Sequence, residues 1–119
     1  MQTKEDALNK LRKSKFRSRF TLSRADIEYI DEKGMDTIRS HAKDFVKKKL
    51  EKTTASDGKQ TPMTGHPVFK AMHGCACCCR GCLNKWYRVP LDGKLTEDQQ
   101  ERIVNLLMLW IEERYKTNK

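Results

Sequence analysis

Ile103-Val104-Asn105-Leu106-Leu107-Met108-Leu109-Trp110-Ile111 carries a single polar residue, Asn105. A run this apolar on every side belongs in the middle of a helical core, or on a surface shared with a second chain. Thr96-Glu97-Asp98-Gln99 precedes it with the elements of a capping box, so the spacing predicts a long helix opening there. Towards the N-terminus, Met35, Ile38, Ala42, Phe45 and Val46 recur at three- and four-residue spacing with lysines opposite, the pattern of an amphipathic helix. Ser23-Arg24-Ala25-Asp26 is a further capping box, opening Ile27-Glu28-Tyr29-Ile30, and Gly34 is a natural stop. Pro67 suits the first turn of another helix. Val68, Met72, Cys75, Cys79, Leu83 and Trp86 share its stripe, with a kink or break expected near Gly74 or Gly81. Glu51 to Gly65 reads as a polar surface loop, and Arg88 to Leu95, with Pro90 and Asp92-Gly93, as a turn. The expectation is a mostly α, compact single-domain fold of four to five helices over residues 23–115, preceded by a basic N-terminal arm over 1–22. Within the arm, residues 4–13 suit a short helix. The alternation that places Phe16, Phe20 and Leu22 on one side suits an extended stretch over 15–22.

A chain of 119 residues fits one domain. With 37% hydrophobic and 34% charged residues, its core must be thin and built from one face of each helix. The net charge of +9 favours acidic partners, nucleic acid above all. Lys10, Arg12, Lys13, Lys15, Arg17, Arg19 and Arg24 concentrate in the arm with Phe16 and Phe20 among them. Cations that meet phosphates and rings that stack on bases make a single-strand binding surface, so the candidates are Arg12, Lys13, Lys15, Arg17, Arg19, Arg24 and Phe16. Lys43, Lys47, Lys48, Lys49 and Lys52 form a second basic face of the kind that is usually solvated surface. The N-terminus is polar from the start and no apolar run approaches the roughly 20 residues of a membrane span. A cytoplasmic protein with no membrane partner is therefore expected.

All five cysteines fall within Cys75-Ala76-Cys77-Cys78-Cys79-Arg80-Gly81-Cys82, and His66 and His73 lie just upstream. The spacing is a poor disulfide framework: vicinal pairs close a strained ring and so short a loop removes little unfolded-state entropy. The thiols are expected to be reduced. Burial explains Cys75 and Cys79, which share the apolar stripe, whereas Cys77 points elsewhere by the same spacing. A thiolate beside Arg80 or at a helix start would gain reactivity, and His66 or His73 could serve as its base. No HExxH, GxSxG or phosphate-binding glycine loop accompanies them.

Gly65-His66-Pro67-Val68-Phe69, His73 and Cys78-Cys79-Arg80-Gly81-Cys82-Leu83-Asn84-Lys85-Trp86 together resemble the signature of a bacterial family of uncharacterised proteins, domain-of-unknown-function family 4186. The resemblance extends through Lys15-Phe16-Arg17, Ile38-Arg39-Ser40-His41-Ala42 and Asp57-Gly58-Lys59-Gln60-Thr61-Pro62-Met63, covering roughly residues 15–112. It implies a compact, mainly helical, bacterial or phage-borne protein with no established activity, and Cys78, Cys79 and Cys82 as its motif thiols. The chain departs from the family pattern at Met72, Cys75, Cys77 and Tyr87, the last standing where a histidine often follows the tryptophan.

Cys79-Arg80-Gly81-Cys82 has the CxxC spacing of half a zinc site, and zinc requires further sulfur or nitrogen donors. The candidate ligands are Cys78, Cys79, Cys82, His73 and His66, although the separation of the two histidines matches no common finger. An iron–sulfur cluster needs four thiolates converging from better-spread positions. The expected function is nucleic-acid association through the basic arm, with the Cys/His segment as a structural centre and zinc as its ion. The alternatives are a thiol- or metal-dependent enzyme centred on that segment, and an interaction module whose apolar C-terminal helix meets a protein partner or a second copy.

Overall fold

The structure is a computed structural model that describes residues 4–55 and 57–118. Among them are six α-helices and no strand: α1 (Lys4–Arg12), α2 (Arg24–Lys33), α3 (Met35–Leu50), α4 (Pro67–Gly74), α5 (Arg80–Tyr87) and α6 (Glu97–Asn118). A short 3-10 turn, Arg17–Arg19, lies between α1 and α2.

The mostly α expectation holds, and α6 organises the fold. Thr96 caps it reciprocally with Gln99, each side chain bonding the other's backbone N–H. Ile103, Val104, Leu106, Leu107, Met108, Trp110 and Ile111 are all buried, with α3 and α4 packed most extensively against the helix and α1 and α2 also touching it. Each such side chain contributes about 1.5–3 kcal/mol by leaving water. The apolar run is thus largely covered by this chain's own helices. No described helix is long and apolar enough to cross a membrane.

Local signals explain the other elements. Ser23 and Asp26 close the capping box of α2, and Gly34, at φ +86°, turns the corner from α2 directly into α3. Such a φ suits only glycine without strain. His66 caps α4 and Pro67 opens it. Gly74, at the end of α4, lies against Trp110, whose ring would stand 2.9 Å from any Cβ placed there.

The break expected near Gly74 is present: the stripe from Val68 to Trp86 parts across Cys75–Cys79 into α4 and α5, and the described α-helices number six. One expectation is corrected: the stretch over 15–22 is not extended before Phe20. Backbone bonds from Ser18 to Ser14 and from Phe20 to Arg17 curl it, Phe20 and Leu22 enter the core, and Phe16 stays 43% exposed. Ala7, Leu8 and Leu11 of α1 are buried as well. The Cα radius of gyration, 13.4 Å, agrees with about 13.5 Å for a packed chain of this length. Residues 1–3 of the expected arm lie outside the described residues.

Arg80 ties the loops to this frame. It is 1% exposed, and its guanidinium donates to the carbonyls of Leu50, Glu51, Gly93 and Pro90. The 51–65 loop and the 88–95 turn are thereby held to the start of α5.

Candidate metal centre

Residues 71–80 are buried without a break, so the cysteine loop is an interior segment whose backbone must find partners. Cys75 N–H still bonds Ala71 and Cys77 N–H reaches Met72, while Ala76 takes φ +57° to make the turn. Thr61 Oγ1 donates to the Cys78 carbonyl, and the Tyr87 hydroxyl donates to that of Cys75. Cys79 then becomes the N-cap of α5, its Sγ accepting the Cys82 N–H at 3.3 Å. Asp57 takes the next two donors, Arg80 N–H at 2.9 Å and Gly81 N–H at 3.0 Å.

This turn brings the Sγ atoms of Cys78, Cys79 and Cys82 to within 4.8 Å of one another, and the trio could hold a metal ion. Cys78 and Cys82 share a hydrogen bond at 3.6 Å. Arg17 lies on the pair: Nη1 is 3.6 Å from Cys78 Sγ, Nη2 is 3.2 Å from Cys82 Sγ, and Nη1 also donates to the His73 carbonyl at 2.7 Å. The hydrogen bond with Cys82, followed by that from Arg17, outweighs burial and lowers the Cys78 pKa to about 7. Cys82 moves up, first because of Cys78 and then by burial. Burial raises Cys75, Cys77 and Cys79.

The family model for a domain of unknown function, DUF4186, matches residues 5–112. The chain belongs to this family. No solved structure matches it. The DUF4186 match takes in α1 and the 3-10 turn, the elements that deliver Arg17 to the thiols.

The remaining predicted residues of this DUF4186 domain are dispersed. His73 Nε2 faces the Thr61 carbonyl at 2.9 Å, so it carries the proton and donates, while the ring stacks on Phe20. His66 sits at the other end of α4. Its Nδ1 accepts the Val68 N–H at 3.0 Å, so the proton lies on Nε2, which meets His41 Nδ1 at 3.0 Å. Neither histidine joins the thiol group. Burial, then the neighbouring charge of His41, lowers the His66 pKa to about 4.

Cys77 does not point away from the core; it is fully buried. Arg80 does not face the thiols, because its guanidinium is committed to backbone carbonyls. Arg17 takes the place beside the sulfurs that the sequence suggested for Arg80, and it is withdrawn from the nucleic-acid set, being 9% exposed. Arg12 pairs with Glu113 at 2.6 Å and Arg24 with Glu28 at 3.5 Å, both at the surface. Lys13, Lys15 and Arg19 are exposed. Asp57 and Thr61 fall in the 57–63 stretch of the family resemblance, but nothing in the local pattern assigns either of them to the thiol loop.

Proposed function

We propose that this domain binds one zinc ion through Cys78, Cys79 and Cys82, as a centre that fixes the junction of α4, α5 and the N-terminal segment. The observation that carries this is the convergence of the three sulfurs. Tetrahedral zinc with Zn–S of about 2.3 Å sets its sulfurs about 3.8 Å apart. The 3.6 Å between Cys78 and Cys82 already fits. Three soft thiolates favour zinc over hard oxygen-seeking cations. They would leave one surplus negative charge on a divalent ion, which the two N–H donors of Arg17 answer.

Elemental analysis of protein purified without added metal is expected to find stoichiometric zinc. Cys79→Ser and Cys82→Ser should each lose it, whereas His73→Gln and His66→Gln should keep it. Chelation should lower the thermal midpoint of the parent and leave the serine variants unmoved. Zinc absent from the parent, or lost equally from the histidine variants, would remove the three-thiolate site.

Nucleic-acid association is kept as a second reading because of one surface feature. Phe16 is exposed beside the exposed Lys13, Lys15 and Arg19, and the Arg19 guanidinium lies 5.2 Å from its ring centroid. A ring edged by cations is suited to stacking on an unpaired base. Binding to a single-stranded oligonucleotide should then weaken steeply with salt. Lys13→Ala, Lys15→Ala and Arg19→Ala combined should flatten the salt dependence, and Phe16→Ala should weaken binding without loss of helicity. No binding at low ionic strength would dispose of this reading.

A further inference from the structure

Cys78 and Cys82 stand apart from the other thiols in two ways. Their sulfurs are 3.6 Å apart, close enough that a modest side-chain rotation brings them towards the roughly 2.05 Å of a disulfide. Cys82 is also partly exposed, whereas Cys75 and Cys77 are completely buried. A small oxidant from solvent therefore meets Cys82 first, with Cys78 beside it. Cys79 is less suited to pair with Cys82, because its sulfur is occupied as the α5 cap. A vicinal Cys78–Cys79 bridge would close a strained ring.

We propose that Cys78 and Cys82 are an oxidation site for small hydroperoxides, closing to a disulfide that opens the metal centre and releases Arg17. One sulfur of the pair attacks the peroxide O–O bond, forming a sulfenic acid and expelling water or, from an alkyl hydroperoxide, the alcohol. The other sulfur then attacks that sulfenic sulfur, and the S–O bond breaks to release water. Overall, two thiols lose two electrons and two protons, and one hydroperoxide is reduced. Were zinc bound, the protons would come from solvent, and Cys79 alone of the three thiols would remain to hold it.

The disulfide itself requires only the pair, while release of the ion rests on the zinc reading. Bridge closure also replaces both sulfur acceptors of Arg17 with a weakly accepting disulfide. Of its three guanidinium hydrogen bonds Arg17 then keeps the one to the His73 carbonyl, so the N-terminal segment loses two of the polar contacts that hold it over the centre. The chemistry is thus linked to the order of residues 14–20.

The test treats the full chain with hydrogen peroxide, alkylates the remaining thiols and measures intact mass and released zinc. The expected result is loss of two hydrogens, reversed by a dithiol reductant, together with zinc release. Tryptic digestion should release fragments 71–80 and 81–85 as one disulfide-linked pair, and fragmentation should place the bridge at Cys78–Cys82. Amide exchange should rise across residues 14–20 after oxidation. Cys78→Ser should abolish the bridge; Cys79→Ser, which removes a zinc ligand, should still form it. Fragmentation of the parent's linked peptide decides the pairing even if a variant fails to fold.

A zinc-free parent that still forms the Cys78–Cys82 bridge supports the oxidation site while removing the metal reading. A zinc-loaded parent that keeps its ion and its free thiols under peroxide overturns the oxidation site and leaves the metal reading intact. A bridge mapped to Cys79–Cys82 overturns it as well.

Discussion

Arg80→Ala is expected to destabilise the protein by about 3–5 kcal/mol, lowering the thermal midpoint by roughly 10–20 °C. Arg80 is among the largest fully buried side chains, so truncation leaves a cavity. The change also strips donors from the carbonyls of Leu50 and Glu51, at the end of α3, and of Pro90 and Gly93 in the 88–95 turn. Each carbonyl left without a partner inside the fold costs about 1 kcal/mol or more. Asp57 loses a nearby positive charge that helps to hold its carboxyl below the usual range. Arg80→Lys should recover only part of the loss, because an ammonium cannot span carbonyls on both sides as the planar guanidinium does. Urea denaturation followed by circular dichroism measures this, and a loss below about 1 kcal/mol for the alanine variant would refute the anchoring role.

The second large effect follows from the imidazole pair. Stability should fall by about 2 kcal/mol between pH 7 and pH 4 through His66, once solvent screening of a partly exposed ring is allowed for. In the folded chain this group titrates at about 4, against 6.5 for an ordinary histidine side chain, which stands for the unfolded chain. Between those values the unfolded chain binds a proton that the folded chain does not, so unfolding gains as pH drops. The contribution is complete above 6.5 and is lost progressively down to about 4. The structural reason is that His66 Nδ1 must stay unprotonated to accept the Val68 N–H and cap α4. His66→Asn keeps a capping acceptor but cannot titrate, so the difference between variant and parent should grow in the variant's favour as the solution is acidified. Parallel pH profiles for the two proteins would exclude the pair as the source.

Much of the frame was legible in sequence. The capping boxes at Ser23 and Thr96, the glycine corner at Gly34 and the proline start at Pro67 all stand where their residues indicated. The place of the chemistry was legible too, since the cysteine count pointed to a single segment. The break between α4 and α5 was only half visible: Gly74 marks it, but the left-handed Ala76 carries no sequence signature. The N-terminal segment was misjudged because alternating Phe16, Phe20 and Leu22 fit an extended stretch and a packed turn equally well until the neighbouring surface is known.

The sequence by itself determined the helices, their ends and the segment that holds the thiols, because caps, periodicity and turn residues act between groups at most a few positions apart. Tertiary structure alone decided which groups meet at the site. Arg17 reaches Cys78 across 61 positions and Cys82 across 65, while Asp57 reaches Arg80 across 23. His41 draws His66 to itself across 25 positions, away from the cysteines. Contacts at such separations depend on how the helices pack around α6, and nothing in the local pattern near Arg17 distinguishes a cation bound for buried sulfur from one left in water.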